Sequence, residues 1–231
     1  MSTLYMTATP IGNLEDITLR ALSILKQVDV VACEDTRHTG RLLQRFGVKT
    51  KLIACHAKNE QHSAQGIVKL LEQGKDVAYV SDAGTPGISD PGNRLVGTVR
   101  AAGFPVVPIP GVSALTALIS VASYTGKSIT FDGFLSPKGG RRRRRIDELI
   151  ARGEGFVLYE SPYRLVKTLK DIAEASPERR VLVGRELTKL HEECIEDRAE
   201  EVLRLFSERP NVKGECVIFV SPPEGTSDDH D

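Results

Sequence analysis

Short apolar runs alternate with amphipathic segments along the first half of the chain. Runs rich in β-branched residues predict strands at 4–8, 28–33, 51–55, 76–80 and 105–109. Between them, apolar residues at helical spacing predict helices at 18–26, 41–46, 66–74 and 94–103. Strands that alternate with helices indicate a mostly parallel sheet covered on both faces.

The second half repeats this alternation less regularly. Strands are predicted at 128–134, 155–160, 179–186 and 214–220, and helices at 142–152, 163–175 and 199–209. A second α/β unit is therefore expected. We predict an N-terminal α/β domain at 1–112, a C-terminal α/β domain at 113–222 and a disordered tail at 223–231, where periodicity is absent.

Composition limits the class of protein. The chain has 231 residues, a formal net charge of zero and 40% hydrophobic residues, which is typical of a globular protein with a substantial core. No apolar run approaches the length of a membrane span, and the N-terminus lacks the pattern of a signal peptide. We expect no membrane partner, and any nucleic-acid binding must come from local patches of charge.

Cysteine and aromatic usage narrow the chemistry further. Four separated cysteines without a CxxC pair are interpreted as small buried hydrophobes, so we predict no metal site and a reducing, cytoplasmic location. Tryptophan is absent and aromatic residues make up 5%, which argues against aromatic platforms for stacking single-stranded bases.

The stretch SDAGTPGISDPG (81–92) follows the fourth predicted strand. Its glycines allow close approach of a ligand, and Asp82 is placed to accept hydrogen bonds. Asp90 and Pro91 are predicted to cap the next helix. The stretch matches neither a P-loop nor a dinucleotide fingerprint and carries no Lys or Arg, so a neutral or cationic ligand suits it better than a phosphate. An elaborate surface turn remains the alternative.

Two further turns share this character. ATPIGNLEDIT (8–18) follows the first predicted strand, and IPGVSAL (109–115) follows the fifth. Because ligands of open parallel sheets bind beyond the carboxyl ends of strands, we expect the three turns to line one crevice.

The order of several motifs carries a resemblance to a known family. TATPIGNLEDIT, ACEDTRHT, YVSDAGTPGISDPG, IPGVSA, FDGFLSPKG, YESPYR and GRELTKLHEE follow one another as in bacterial 16S ribosomal RNA 2′-O-ribose cytidine methyltransferases of the tetrapyrrole methylase superfamily. The resemblance covers residues 3–220. It implies two α/β domains of the tetrapyrrole methylase type, with S-adenosylmethionine (the methyl donor) in the cleft between them. It also implies a homodimer. The implied target is the ribose of a cytidine in the decoding region of the small ribosomal subunit.

The resemblance also implies which residues contact the methyl donor. In the N-terminal domain and the following turn these are Pro10, Asp82, Ala83, Gly84, Thr85, Ile88, Ser113 and Ala114. By analogy the C-terminal domain supplies Tyr159, Leu187 and Gly214. A loop without Lys or Arg agrees with a cationic sulfonium donor, because it does not repel the positive charge.

Candidates for chemistry lie in GRELTKLHEE (184–193). A ribose hydroxyl reacts when its proton is accepted or its developing charge is stabilised, and Lys189, Glu186 and His191 are placed for this. Lys189 is a base only if burial lowers its pKa; otherwise it stabilises negative charge. The alternative is that Lys189 pairs with a neighbouring acid in a solvated stretch, while alignment alone supplies the rate.

Candidate RNA contacts fall in two places. Arg37 and His38 follow the second predicted strand. The alternative is that Glu34, Asp35 and Arg37 pair with each other or cap the next helix. The second place is the basic run at the start of a helix, from which we predict contacts by Lys138, Arg141, Arg142, Arg144 and Arg145. Five consecutive arginines cannot all face one side of a helix.

Two other functions remain open at this point. One is a relative that methylates carbon atoms of a tetrapyrrole such as a precorrin or uroporphyrinogen. The other is a non-catalytic ribosome-binding factor that kept the fold. The basic run favours RNA over the first, and the intact glycine-rich turns argue against the second.

Overall fold

The structure is a computed structural model that describes residues 2–55, 60–123 and 125–223. The density of internal contacts divides the chain into two compact units, Met1–Ser113 and Ala114–Asp231. The tail predicted to be disordered lies, apart from Pro223, outside the described residues. No helix in the described ranges is long and apolar enough to cross a membrane.

The first unit is built on five parallel strands. They are β1 (Leu4–Thr7), β2 (Val30–Cys33), β3 (Lys51–Ala54), β4 (Val77–Val80) and β5 (Val106–Ile109), in the spatial order β3-β2-β4-β1-β5. Its helices are α1 (Leu19–Gln27), α2 (Thr36–Arg45), α3 (Glu60–Glu72) and α4 (Asn93–Ala101), with a short 3-10 helix at Leu14–Asp16. The carboxyl ends of all five strands therefore point to one edge.

Both faces of this sheet are buried, as the sequence predicts. Val30 and Val77 face α3 and α4, together with Ile67 and Leu95 of those helices. Alternate residues of the same strands face α1 and α2, in a second apolar cluster that includes Val31, Ala78, Leu25 and Leu43. Central strands with apolar residues on both faces are typical of parallel sheets that helices cover.

The second unit carries a mixed sheet. Its strands are β6 (Ile129–Phe134), β7 (Gly155–Glu160), β8 (Arg180–Arg185), β9 (Glu193–Arg198) and β10 (Cys216–Val220), in the order β6-β7-β10-β8-β9. Only β6 and β7 are parallel among these neighbours. The helices are α5 (Ala114–Ile119), α6 (Gly139–Ala151), α7 (Leu165–Ala175) and α8 (Ala199–Ser207), and the last three pack on one face of the sheet.

The sequence prediction missed β9. This strand reads ECIEDR and lies at the sheet edge, where charged side chains are compatible with strand structure and discourage pairing with other chains. Its acids meet arginines of β8 across the strand pair: Glu193 lies 3.1 Å from Arg185, and Glu196 lies 3.7 Å from Arg180. The expectation that all four cysteines are buried is wrong for Cys194, which is exposed on this strand.

Candidate functional site

The turns after β1 and β4 are joined by hydrogen bonds. Thr9 and Gly84 form an isolated antiparallel bridge, in which the N–H of each donates to the carbonyl of the other at 2.9 and 3.0 Å. The Thr9 hydroxyl also donates to the Ser81 carbonyl at 3.2 Å. Pro10, which directly follows Thr9, is thereby fixed beside the glycine-rich turn.

The turn after β5 closes on the same region. The Thr85 hydroxyl donates to the Val112 carbonyl at 3.1 Å. A β-carbon on Gly111 would lie 2.8 Å from the β-carbon of Ala8, so only glycine allows these two turns to approach so closely. The predicted convergence of the three turns is therefore present in the first unit, where β4, β1 and β5 are neighbours.

The turn after β2 reaches the glycine-rich turn as well. The N–H of Asp35 donates to a carboxylate oxygen of Asp82 at 3.2 Å. The preceding residue, Glu34, is half-buried, and its pKa is raised to about 7 by burial and by the negative charges of Asp90 and Asp82. Acidic groups therefore accumulate at this edge of the sheet.

Asp90 and Pro91 do not cap α4, contrary to the prediction. The residue at the N-cap is Gly92, whose φ of 134° is accessible to glycine. A β-carbon on Gly92 would lie 3.0 Å from the Met6 side chain and 3.3 Å from the Tyr79 ring. Gly92 therefore packs closely over β1 and β4 at the start of α4.

The edge of the first unit suits a cationic ligand with polar ends. The 81–92 turn carries no basic residue, while Asp82 and Asp90 place negative charge near Glu34. Gly84 and Gly87 have φ values of 76° and 83°, a backbone conformation that glycine adopts without strain. These residues fit a sulfonium compound better than they fit a phosphate.

In the second unit, Tyr159 lies at the end of β7. Its hydroxyl accepts a hydrogen bond from the N–H of Leu115 at 3.3 Å, in the first turn of α5, which Ala114 begins. Its ring meets Phe131 and Phe134 edge to face, with centroids 4.9 and 5.7 Å away. Tyr159 thus joins the sheet to the start of α5.

Glu186, Lys189 and Glu215 form a charged cluster between the turn after β8 and the turn before β10. The Lys189 ammonium donates to Glu186 and to Glu215, both at 2.8 Å. Glu186 also accepts from the N–H of Glu215 at 2.9 Å. Gly214, with a φ of 91°, lies against this cluster, because a β-carbon there would overlap the Glu186 side chain.

The charge state of Lys189 follows from this cluster. Burial lowers the pKa of Lys189, but its hydrogen bonds to Glu186 and Glu215 outweigh burial, and the net pKa lies above the ordinary value. The hydrogen bond from Lys189 correspondingly lowers the pKa of Glu186. Lys189 is therefore a cation at neutral pH, and the condition under which it would serve as a base is not met.

Leu187 follows Glu186 in the same turn. It is buried, and a β-carbon on Gly184 would lie 3.0 Å from its side chain and 2.6 Å from that of Leu118. Glycine at 184 allows α5 and this turn to pack closely on β8. The structure thus brings Leu187, Gly214 and the charged cluster to one end of the second sheet.

Arg37 and His38 lie in the first turn of α2 and are exposed. The Asp35 carboxylate caps this helix by accepting from the backbone N–H of both residues, at 2.8 and 3.4 Å. It also pairs with the Arg37 guanidinium at 3.0 Å, and the hydrogen bonds from Arg37 lower the pKa of Asp35 to about 2. The capping and pairing alternative is therefore correct for Asp35.

The arginine run is divided by the faces of α6. Arg142 points into the second unit, where its guanidinium meets the Asp171 carboxylate at 2.6 Å and the two side chains are 7% and 8% exposed. The prediction that Arg142 contacts RNA is wrong, because its charged group is buried and paired. Arg145 is largely engaged too, with Asp132 at 2.6 Å and Glu148 at 2.9 Å.

Lys138, Arg141 and Arg144 are exposed around the start of α6. Within the described ranges, none of the three forms an ion pair or a side-chain hydrogen bond. Unpaired cations at a helix N-terminus oppose the helix dipole, which a bound anion would offset. Of the five basic residues predicted to contact RNA, these three are accessible to a bound anion such as a phosphate.

Comparison with known proteins places the chain among methyltransferases. Residues 3–203 match the family model described as Tetrapyrrole (Corrin/Porphyrin) Methylases. A protein of Borrelia garinii subsp. bavariensis named ribosomal RNA small subunit methyltransferase I is 47% identical over 94% of this chain and 98% of its own length. A protein of the same name from Neisseria meningitidis serogroup B is 44% identical over 96% of this chain and 77% of its own.

A solved structure shares the fold. A cobalt precorrin-4 methyltransferase of cobalamin biosynthesis superposes with a TM-score of 0.71 and covers 95% of this chain and 94% of its own. Sequence identity to it is 17%, so this likeness concerns the architecture of two α/β units and not the substrate.

Proposed function

The chain belongs to the tetrapyrrole (corrin/porphyrin) methylase family, and we propose that it 2′-O-methylates the ribose of a cytidine in 16S ribosomal RNA. It is an S-adenosylmethionine-dependent methyltransferase, as the family and its curated relatives are. The proposed target is in the decoding region of the small ribosomal subunit.

One observation carries the choice of RNA over a tetrapyrrole. The Borrelia relative, which is named for ribosomal RNA of the small subunit, is 47% identical along nearly its whole length. The precorrin enzyme shares the fold at 17% identity. Since substrate choice depends on site residues rather than on the fold, the first likeness outweighs the second.

We propose that the converging turns of the first unit hold the donor. The contacts are assigned to Pro10, Asp82, Ala83, Gly84, Thr85, Ile88 and Ser113, followed by Ala114 at the start of α5. The hydrogen-bonded link from Thr9 through Gly84 and Thr85 to Val112 supports this, because it fixes these residues before a ligand arrives. S-adenosylmethionine, when bound, supplies an activated methyl group on a sulfonium.

The second unit contributes Tyr159, Leu187 and Gly214 to the same proposal. Tyr159 is held by Leu115 and two neighbouring rings, and Leu187 is buried beside Gly184. Such fixed apolar and aromatic groups suit the flat and aliphatic parts of a nucleoside ligand.

For the ribose hydroxyl we propose an electrostatic role for Lys189. Its ammonium remains charged because Glu186 and Glu215 hold it, so it stabilises the negative charge that develops on the attacking oxygen. Glu186 positions Lys189 through a hydrogen bond of 2.8 Å. The hydroxyl proton leaves to solvent or to another acceptor, and alignment supplies much of the remaining rate.

We assign RNA contacts to the exposed cations. Lys138, Arg141 and Arg144 are accessible, and Arg145 keeps partial exposure while it pairs with Asp132. Arg37 and His38 form a separate exposed pair on α2, where the Arg37 side chain is 87% exposed. Local patches of this kind reconcile RNA binding with a net charge of zero.

We further propose that the enzyme acts in the cytoplasm as a homodimer. The proposed substrate, ribosomal RNA, supports the cytoplasmic location. The resemblance to the family supports the homodimer. Light scattering of the purified protein measures the oligomeric state directly.

Incubation of 30S subunits with the protein and labelled donor tests the proposed function. Mass spectrometry of the 16S RNA should find one added methyl group on a cytidine ribose. Parallel reactions with uroporphyrinogen should show no transfer. Methylation of uroporphyrinogen but not of RNA would replace the proposal with tetrapyrrole chemistry, and failure to bind the donor in calorimetry would indicate a non-catalytic protein.

A further inference from the structure

Two large aromatic side chains are exposed at the carboxyl ends of the parallel strands β6 and β7. Phe134, the last residue of β6, is 57% exposed, and Tyr163, in the turn after β7, is 86% exposed. Exposed aromatic rings place apolar surface in water, which is unfavourable, and such surface often marks a site where a partner binds. Although aromatic residues make up only 5% of the sequence, two of them are exposed at this end of the strand pair.

The two exposed rings belong to segments that are tied together. Arg164, next to Tyr163, donates to the carbonyl of Leu135, next to Phe134, at 3.3 Å. The same guanidinium pairs with the buried carboxylate of Glu160, which also accepts from the Thr168 hydroxyl at 2.6 Å. The backbone next to both rings is consequently held in place, so binding of a partner does not require this segment to be ordered first.

The exposed cations of α6 begin a few residues after Phe134 in the sequence. Lys138 follows Phe134 by four residues and is the N-cap of α6, and Arg141 and Arg144 lie within the next two turns. Asp132 and Glu148 are engaged by Arg145, and Asp147 is an exposed acid on the same helix. Because β6 and β7 are parallel neighbours, both rings and the start of α6 follow the carboxyl ends of this strand pair.

We propose that Phe134 and Tyr163 stack on nucleobases of a single-stranded segment of the RNA substrate while Lys138, Arg141 and Arg144 bind its phosphates. The proposal rests on the RNA methyltransferase function proposed above. Sequence-specific proteins bind RNA mostly at unpaired loops, where bases are free to stack on aromatic rings. Phosphate contacts follow the backbone between those bases.

Fluorescence anisotropy of a labelled single-stranded oligoribonucleotide with the full chain tests the proposal. Base stacking on one ring contributes about 1–3 kcal/mol, so Tyr163→Ala and Phe134→Leu should each weaken binding about five-fold or more. Tyr163→Phe keeps the ring and should bind within about two-fold of the unchanged protein. Equal binding by Tyr163→Ala and the unchanged protein would overturn the role of this ring.

Charge and stacking are separated by their dependence on salt. Each phosphate contact that is lost should reduce the slope of log K against log salt by about 0.7 for single strands, so Arg141→Ala with Arg144→Ala should flatten it. Tyr163→Ala should lower affinity at every salt concentration and leave the slope unchanged. Matched controls are Leu19→Ala, which removes an apolar side chain as exposed as Tyr163, and Arg100→Ala, which removes an exposed arginine of α4. If the controls weaken binding as much, the surface is not specific and the proposal fails.

A second copy of the chain is the competing occupant of this surface. Light scattering should give the same mass for Tyr163→Ala, Phe134→Leu and the unchanged protein. Dissociation of a dimer by these substitutions would assign the rings to an interface between copies and overturn the proposal.

Methyl transfer to 30S subunits distinguishes the two proposals. In one outcome, the unchanged protein methylates 16S RNA, and the ring variants show the same KM and the same affinity for the oligonucleotide. The proposal of an RNA-binding surface then fails, and the proposed function stands. If no RNA is methylated although the ring variants lose affinity as expected, the proposed function fails and the RNA-binding surface stands.

Discussion

Thr9 and Gly84 exchange two backbone hydrogen bonds, at 2.9 and 3.0 Å, although they are separated by most of the first unit in sequence. The bridge holds the turn after β1 against the turn after β4. Gly84 has a φ of 76°, and a β-carbon there would lie 3.3 Å from the Ile11 side chain and 3.6 Å from the Val112 carbonyl. The backbone conformation favours glycine at this position, and a β-carbon would also press on the Ile11 side chain.

Gly84→Ala should weaken donor binding and lower stability together. A residue with a β-carbon in the left-handed region costs about 1–2 kcal/mol, and the added methyl group crowds two turns of the proposed donor site. Titration calorimetry with S-adenosylmethionine should show at least about a ten-fold loss of affinity.

Gly74→Ala is the matched control. Gly74 has a φ of 83°, and no atom lies within 4 Å of the place that its β-carbon would occupy, so the substitution adds the same backbone strain without crowding the turns. It should lose comparable stability and keep donor affinity. Equal loss of donor affinity in both variants would attribute the effect of Gly84→Ala to general destabilisation.

The pair of Arg142 and Asp171 gives a prediction about stability. Arg142→Ala leaves a buried carboxylate, with the exposed Arg143 as its remaining ion-pair partner among the described residues, at 4.0 Å. It should lower the free energy of unfolding by about 3 kcal/mol. Chemical denaturation measures this loss. Arg144→Ala removes an exposed neighbour on the same helix and should change stability by about 0.5 kcal/mol or less.

Replacing both partners of the buried pair separates charge from packing. Arg142→Met with Asp171→Leu should recover most of the stability, because two apolar side chains need no compensating charge. The double variant should keep its affinity for RNA. Weaker RNA binding with normal stability would contradict the assignment of Arg142 to the interior.

The alternation of strands and helices was predictable because burial dictates it. β2 and β4 are buried on both faces, so their apolar runs predict strands directly. The glycines of 81–92 indicate a turn with positive φ values, which the structure contains. β9 was not predictable by apolar periodicity, since an edge strand is stabilised by cross-strand charge pairs such as Arg185 with Glu193.

Side-chain roles within charged runs depend on distant partners and were harder to predict. Arg142 is buried because Asp171, on another helix, faces it, and nothing in the run itself distinguishes it from Arg144. Helical spacing offers one signal, because Arg142, Ile146 and Leu149 share a face. Lys189 likewise depends on Glu215, which is remote in sequence.

Lys189→Ala should lower kcat by about 100-fold and leave donor affinity unchanged. Removal of one group that stabilises developing negative charge typically costs this much. Lys189→Arg should retain most activity, because a guanidinium keeps the positive charge although it is a poor base. Single-turnover methyl transfer to 30S subunits measures both variants.

The pH dependence discriminates between the two roles of Lys189. Its pKa lies above the ordinary value, so it stays charged below about pH 10 and should contribute no rise in rate between pH 7 and 9. Full activity of Lys189→Ala would remove Lys189 from the mechanism. A rise in rate through this range that disappears in Lys189→Arg would identify it as a base instead.

Glu34→Gln should stabilise the protein in a pH-dependent manner. The folded-state pKa of about 7 exceeds the ordinary value of 4.5, so below pH 4.5 the carboxyl is protonated whether the chain is folded or not. As the pH rises to 7, the unfolded chain releases this proton more readily, and the folded state loses stability relative to it. The glutamine variant escapes this loss, so its advantage should grow through that range and level off above it.

The size and origin of the Glu34 effect are testable by denaturation at pH 5 and pH 8.5. The gain at the higher pH should be about 1 kcal/mol, less than the full pKa shift implies, because the carboxyl is only partly buried. Asp82→Asn removes one of the charges that raise the pKa of Glu34, so the same substitution in that background should give a smaller gain. An advantage of equal size at both pH values would show that Glu34→Gln acts through packing and not through ionisation.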